Sequence, residues 1–360
     1  MAKFIRNLWY VAAWDHEVAL DEIVSRTIIG EPLAIFRNEK GEPVVFEDRC
    51  PHRHAPLSMG RLEREGLRCM YHGLIFNEAG VCTHVPAADM IPPNAQVRRY
   101  PVVERSNWIW VWMGEPSLAD PAQIPEVSSM DDPIWVKRAS ALDYAADYQL
   151  LNDNLCDLSH LDYTHETSLG ALSRARWSDD HPKMIRLDNG LRIERWLLDV
   201  PGFPDVGPEQ IDIFNSYEYL LPGLFLMRNF VFGVGAAARW DYGAPQEPCL
   251  FETNLNQQAV TPIGPGRSRY LYAAAMPASA PPSLLDELFT VINTAFGEDK
   301  QMIEAQQLIW NQTEADQPKI FLPQDKAPAM FRRLIERRIS EEQASPRAEP
   351  SDQLHANALT

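Results

Sequence analysis

Apolar and polar positions in the first third of the chain run in short stretches divided by turn residues. Ser25–Ile29, Leu33–Arg37, Pro43–Glu47, Gly66–Met70, Leu74–Asn77 and Trp108–Met113 read as strands, with Asn38-Glu39-Lys40-Gly41 and Glu78-Ala79-Gly80 among the turns. Short strands at this spacing predict an antiparallel sandwich or barrel. Tryptophan at every second position of Trp108-Ile109-Trp110-Val111-Trp112 predicts one strand face packed into a core. Gly114–Pro125 carries three prolines and reads as a linker.

The pattern then becomes mixed. In Asp147–His160, Leu150, Leu151, Leu155 and Leu158 recur at helical intervals. Strands return at Met184–Leu187, Arg192–Leu197, Tyr217–Leu221, Phe225–Val234, Phe251–Val260 and Tyr270–Met276. Ser283–Trp310 predicts a long helix opened by Pro281-Pro282, and Ala327–Ile339 a short basic one. From Ser340 the chain is polar, contains Pro346 and Pro350, and predicts disorder. The fold class is therefore α+β, without an internal repeat.

At roughly 100–200 residues per domain, 360 residues predict two domains. A chain of this length can bury a large core without stapling. The net charge of −17 argues against nucleic acid and against a polybasic membrane surface. Five cysteines, an odd and small number, favour a cytoplasmic protein without disulfides. The apolar run Leu8–Trp14 is too short for a secretory leader, and no run reaches the length of a membrane span.

Two sets of ligand-type residues change this picture. Cys50-Pro51-His52 is followed, after sixteen residues, by Cys69-Met70-Tyr71-His72, each pair at the end of a predicted strand and before a turn. Two thiolates and two imidazoles fit a tetrahedral zinc site. They also fit a Rieske [2Fe–2S] cluster, with two cysteines on one iron and two histidines on the other. Zinc fingers pair Cys with Cys and His with His, whereas here each half holds one of each, which favours the cluster. The second set is Asn154-Leu-Cys-Asp157-Leu-Ser-His160-Leu-Asp-Tyr-Thr-His165. On a continuous helix Asn154, Asp157 and His160 share one face. His165 lies about 140° from His160 on that helix, so the two reach one metal only if the helix ends or bulges near Leu161–Thr164. Two imidazoles plus a carboxylate form the facial triad of non-haem Fe(II) oxygenases. Cys82 and His84 lack a partner pair and read as ordinary strand residues.

The boxes Cys50-Pro-His52-Arg-His54-Ala-Pro-Leu-Ser-Met-Gly60 and Cys69-Met-Tyr-His72-Gly73, with Tyr148–His165, make the chain resemble the α-subunit of a Rieske non-haem iron oxygenase. The likeness covers residues 4–340 and is strongest to the vanillate and dicamba O-demethylases. It departs at Leu74, where tryptophan is frequent, and leaves His54 outside the ligand set.

The resemblance implies a Rieske domain at 1–118, a helix-grip-like catalytic domain at 119–340 and a disordered tail at 341–360. It implies a cluster on Cys50, His52, Cys69 and His72, and mononuclear Fe2+ on His160, His165 and a late-helix carboxylate. Phe296-Gly-Glu298-Asp299-Lys300 points to Asp299 for that carboxylate, with Glu298 and Asp286 as alternatives. Asp157 is expected to bridge His160 and a cluster histidine, His72, of a neighbouring subunit, which makes the protein a homotrimer. Asn154 is expected beside the iron.

The implied reaction uses O2 and NAD(P)H electrons delivered by a flavin or ferredoxin-type reductase. Its expected outcome is O-demethylation of a methoxylated aromatic acid such as vanillate, to a phenol and formaldehyde. Other oxygenations on the same scaffold (ring hydroxylation, N-demethylation, methyl hydroxylation) and a plain Rieske electron carrier are the alternatives. Asn229 and Gln258 align with pocket positions of the demethylases, and Arg228 suits a benzoate carboxylate.

Overall fold

The computed structural model describes residues 4–86, 88–127, 132–173, 176–178, 182–202, 208–313 and 320–344. The first part of the chain forms β1 (Trp9–Trp14), β2 (Val24–Ile28), β3 (Glu31–Arg37), β4 (Pro43–Glu47), β5 (Arg61–Glu63), β6 (Gly66–Arg68), β7 (Ile75–Phe76), β8 (Cys82–His84), β9 (Arg99–Tyr100), β10 (Val102–Arg105) and β11 (Trp108–Trp112). They make three small sheets, ordered β1-β11-β10, β2-β3-β4-β9 and β5-β6-β7-β8. All pairings are antiparallel; the consecutive pairs such as β2–β3 and β5–β6 are joined by short turns that parallel strands could not use, while β1–β11 and β4–β9 close over long separations.

The second part contains β12 (Trp135–Tyr144), α1 (Tyr148–Cys156), α2 (Leu169–Ser173), β13 (Lys183–Leu187), β14 (Gly190–Pro201), β15 (Gln210–Leu220), β16 (Leu224–Gly233), α3 (Ala236–Arg239), β17 (Phe251–Gly264), β18 (Arg267–Pro277), α4 (Pro282–Gln312) and α5 (Lys326–Ala344). Its seven strands form one sheet, ordered β12-β18-β17-β16-β15-β14-β13. Strands β13 to β18 are a meander, but β12 sits at the opposite edge from β13. The chain must therefore cross a whole sheet face between them, and α1 and α2 make that crossing.

The two faces of this sheet do different things. Tyr217, Tyr219, Phe225, Val260, Tyr270 and Tyr272 pack with residues of α1, α4 and α5. Leu220, Leu224, Ala259, Leu271, Ala273 and Ala275 pack instead against Trp9, Trp108, Trp110 and Trp112. The tryptophan strand is buried on both faces, not one. Ile109 and Val111 enter a separate core with Leu33, Ile35 and Val45.

Several expectations need correction. The helix foreseen over Asp147–His160 ends at Cys156. Asp157 is extended (φ −123°, ψ 105°) and opens a tighter turn over Leu158–Asp162. The break thus lies at Asp157, not at Leu161–Thr164, and Asn154, Asp157 and His160 do not share a helix face. Helix α5 continues through Ser340 to Ala344, because Ile339 still packs in the core. The rest of the expected tail, 345–360, lies outside the described residues. Strands β1 and β12 were not foreseen. Lys137, Arg138 and Ser140 blur the pattern of β12, which lies at the edge of its sheet.

Candidate metal centres

The two cluster loops are built alike. The Cys50 N–H donates to the Ala55 carbonyl at 2.9 Å and the Cys69 N–H to that of Leu74 at 2.8 Å. The His54 N–H returns to the Cys50 carbonyl, and the Gly73 N–H to that of Cys69, each at 2.9 Å. His54 (φ 59°) and Gly73 (φ 79°) are both left-handed at the corresponding point. His54 is thus the turn-closing residue of the first loop, the place that glycine takes in the second. Arg68 braces the second loop, donating from Nη1 to the Gly73 carbonyl at 2.9 Å and from Nη2 to Glu63 at 2.7 Å.

Cys50 and Cys69 are each 1% exposed, while His52 and His72 are exposed with ring centroids 4.5 Å apart. Burial pushes the Cys50 thiol up to about 11. Two buried thiols with two imidazoles beside them at the surface fit the two-cysteine, two-histidine ligand set of a Rieske cluster. Cys82 is a buried residue of β8, as expected, and its thiol touches the His84 carbonyl at 3.3 Å.

The second set converges beneath the large sheet. Donor atoms of His160, His165 and Asp299 all lie within 4.8 Å of one another. His160 Nε2 is 3.7 Å from Asp299 Oδ1, and His165 Nε2 is 3.2 Å from Asp299 Oδ2. Helix α4 buries Ile292, Phe296, Asp299 and Ile303 along one stripe, so Asp299 is an acid on a core face. Glu298 and Asp286 are elsewhere. Glu298 Oε2 accepts from His165 Nδ1 at 2.8 Å, and Asp286 pairs with Arg138 at 2.9 Å on the surface.

Asn154 donates to Asp299 Oδ1 at 2.9 Å and lies 3.4 Å from His160 Nε2. An isolated buried carboxylate is costly. The groups holding Asp299 are an amide and two imidazoles, a set that a divalent cation would complete. Burial lowers the His160 pKa despite Asp299 nearby. Burial also opposes charge on His165, but its bonds to Asp299 and Glu298 outweigh this and raise it.

The turn after His160 sets the second histidine. Ser168 and Gly170 N–H groups both donate to the His165 carbonyl, at 3.0 and 2.9 Å. A Cβ on Gly170 would lie 2.4 Å from the Leu161 carbonyl oxygen and 2.8 Å from that of His165, so only glycine fits.

Asp157 departs from expectation. Its backbone carbonyl, not its carboxylate, meets His160 Nδ1, at 2.5 Å. The carboxylate accepts from the Ser159 N–H and hydroxyl at 2.9 and 3.0 Å, capping the next turn. A cavity of about 280 Å³ opens beside it, bordered by Cys156, Ser159, Trp177, Ser178 and Arg195.

Of the three substrate candidates, Arg228 is corrected. It pairs with Ser216 across the ladder, on the sheet face away from Tyr217 and the metal helices. Its guanidinium binds Glu252, with Nε 3.0 Å from Oε2. Asn229 and Gln258 do face the helices, since their partners Asn215 and Phe225 alternate in step with Tyr217 and Tyr219. Gln258 accepts from Tyr270 Oη at 2.6 Å. Asn229 accepts from Asn215 at 2.7 Å, while Asn215 Oδ1 is buried without a hydrogen-bond partner. Sequence reasoning missed Asn215, Ser168 and the role of Glu298.

A sulfur-and-imidazole site on one small sheet, and a two-histidine, one-carboxylate site under another, together define a two-centre iron oxygenase. Residues 8–101 match the Rieske [2Fe-2S] domain, and residues 144–341 match the vanillate O-demethylase oxygenase C-terminal domain. The chain belongs to this family of Rieske oxygenase components. It is 34% identical to the iron-sulfur subunit of the toluene-4-sulfonate monooxygenase system of Comamonas testosteroni, over 94% of this chain and 98% of that one. It is 30% identical to a vanillate O-demethylase oxygenase subunit of a Pseudomonas species, over 88% and 97%. The crystal structure of dicamba monooxygenase with non-heme iron and dicamba superposes with a TM-score of 0.77 at 29% identity, covering 95% of this chain and 99% of that one. Among the described residues no helix is long and apolar enough to cross a membrane.

Proposed function

We propose that this oxygenase O-demethylates a methoxylated aromatic acid of the vanillate type. Cys50, His52, Cys69 and His72 would hold the [2Fe–2S] cluster, and His160, His165 and Asp299 the Fe2+. When bound, these groups supply single-electron delivery and O2 activation. Overall, an aryl methyl ether, O2, NAD(P)H and a proton give a hemiacetal, water and NAD(P)+; the hemiacetal then falls apart to a phenol and formaldehyde. The single observation that carries the reading is the clustering of His160, His165 and Asp299 in a chain that also has the cluster loops. It also sets aside a plain electron carrier.

The chain's own groups then have these parts. The Asp157 carbonyl accepts from His160 Nδ1 and so turns Nε2 toward the metal. The Asn154 amide steadies Asp299. Asn229, with Asn215 beside it, is our candidate polar contact for the substrate, and Arg228 no longer is. Met59, Met70 and Tyr71 of the cluster loops are exposed, the Tyr71 ring 4.0 Å from that of His72, and they suit a protein contact. Their partner in this reading is the cavity beside Asp157 on a neighbouring subunit, which closes a homotrimer, with the Asp157 carboxylate linking His160's turn to His72 of that neighbour. A basic-faced NAD(P)H reductase suits the charge of −17.

Hydroxylation of a ring methyl group is the second reading, favoured by the full-length similarity to the toluene-4-sulfonate system. Product analysis with the reconstituted reductase separates them. Formaldehyde in step with phenol supports demethylation, and an alcohol without formaldehyde overturns it.

A further inference from the structure

Glu298 precedes the carboxylate at the metal site, yet its own oxygen lies on the far side of the His165 ring. Oε2 accepts from His165 Nδ1 at 2.8 Å and from the Ser168 hydroxyl at 2.7 Å. Both donors are nearly sealed, His165 at 1% and Ser168 at 5% exposure. The two imidazole nitrogens diverge, so a carboxylate bonded to Nδ1 cannot reach a metal at Nε2.

The two histidines are consequently unlike. His160 gives its Nδ1 proton to a neutral carbonyl, and His165 gives its own to a charged carboxylate. A carboxylate acceptor fixes the tautomer and raises the basicity of the opposite nitrogen more than a carbonyl does. It also adds a second negative charge. Asp299 and Glu298 together balance one divalent cation, so the loaded site is neutral.

We propose that Glu298 is the positioning residue for the mononuclear metal, fixing His165 as an Nε2 donor and neutralising the loaded site. This rests on the reading that His160, His165 and Asp299 hold the metal. Ser168 is the lesser partner, steering Oε2 without touching the ring.

The experiment is anaerobic calorimetric titration of Fe2+, and of Co2+ as a redox-silent probe. It uses the chain with its cluster in place and its mononuclear site emptied by chelation. E298A removes acceptor and charge and is expected to weaken binding about 10–100-fold. E298Q keeps a carbonyl that can accept from Nδ1 and should lose less. S168A should lose least. The melting temperature and the cluster's visible spectrum should stay at wild-type values. Wild-type affinity in E298A overturns the proposal. So does a loss shared equally by all three variants and tracked by a lower melting temperature. D299A is the control. If it binds metal normally, the site reading itself fails; if it loses metal while E298A does not, only the role of Glu298 fails.

Discussion

Asp157 joins the end of one helix to the start of the turn that carries His160, and it uses its two oxygen-bearing groups separately. The carbonyl orients the imidazole, while the carboxylate caps Ser159. Aspartate and asparagine cap about equally well. D157N should therefore keep the turn, the iron and the cluster absorption. It should still lose turnover if the carboxylate is the link to the neighbouring cluster. Metal analysis beside a rate measurement decides this, and a D157N enzyme with normal turnover would remove the relay. At this scale the sequence was most legible where the pattern is local, as in the matched loops of Cys50-Pro51-His52 and Cys69–His72. Glu298 was not legible in the same way. Its partner is a ring nitrogen whose direction depends on a turn 133 residues earlier in the chain. Arg228 was misread for a simpler reason. Strand parity with Ser216 puts it on the other face of the sheet, and side-chain chemistry alone does not carry that information.

The crossing from β12 to β13 is the element on which the site depends. A meander needs no such segment; it arises because β12 joins the far edge of the sheet. The periodic leucines of α1 were readable, as was the stripe of α4 that buries Asp299 between Phe296 and Ile303. The break at Asp157 was not, since Leu158 and Leu161 keep up an apolar pattern through a tighter turn. Gly170 closes that segment against the Leu161 and His165 carbonyls. A methyl group there must push the His165 turn aside, at a cost of about 1–3 kcal/mol. G170A is expected to melt earlier and to bind Fe2+ more weakly, with an unchanged cluster spectrum, because the cluster loops belong to a different sheet. Calorimetry and visible absorption on the same sample read both effects.

Within one molecule the tryptophan strand and the metal helices occupy opposite faces of the seven-stranded sheet. Packed layers lie about 10 Å apart, so the sheet itself stands between the tryptophan strand and the chain's own Asp299. The cluster loops lie beyond the tryptophan strand, on the β5–β8 sheet, and turn exposed histidines outward. In the homotrimer proposed above, electrons would therefore pass between subunits of the ring rather than within a chain. Two inactive variants separate the routes. C69A lacks a cluster ligand but keeps Asp299, and D299A lacks the carboxylate but keeps the cluster. Each is expected to be inactive alone. When the two are co-expressed with different tags and purified through both, a hybrid ring contains contacts where an intact cluster faces an intact iron site. Turnover should then reappear. Doubly tagged hybrids that stay inactive would place the transfer within each chain and remove the main reason for a trimer.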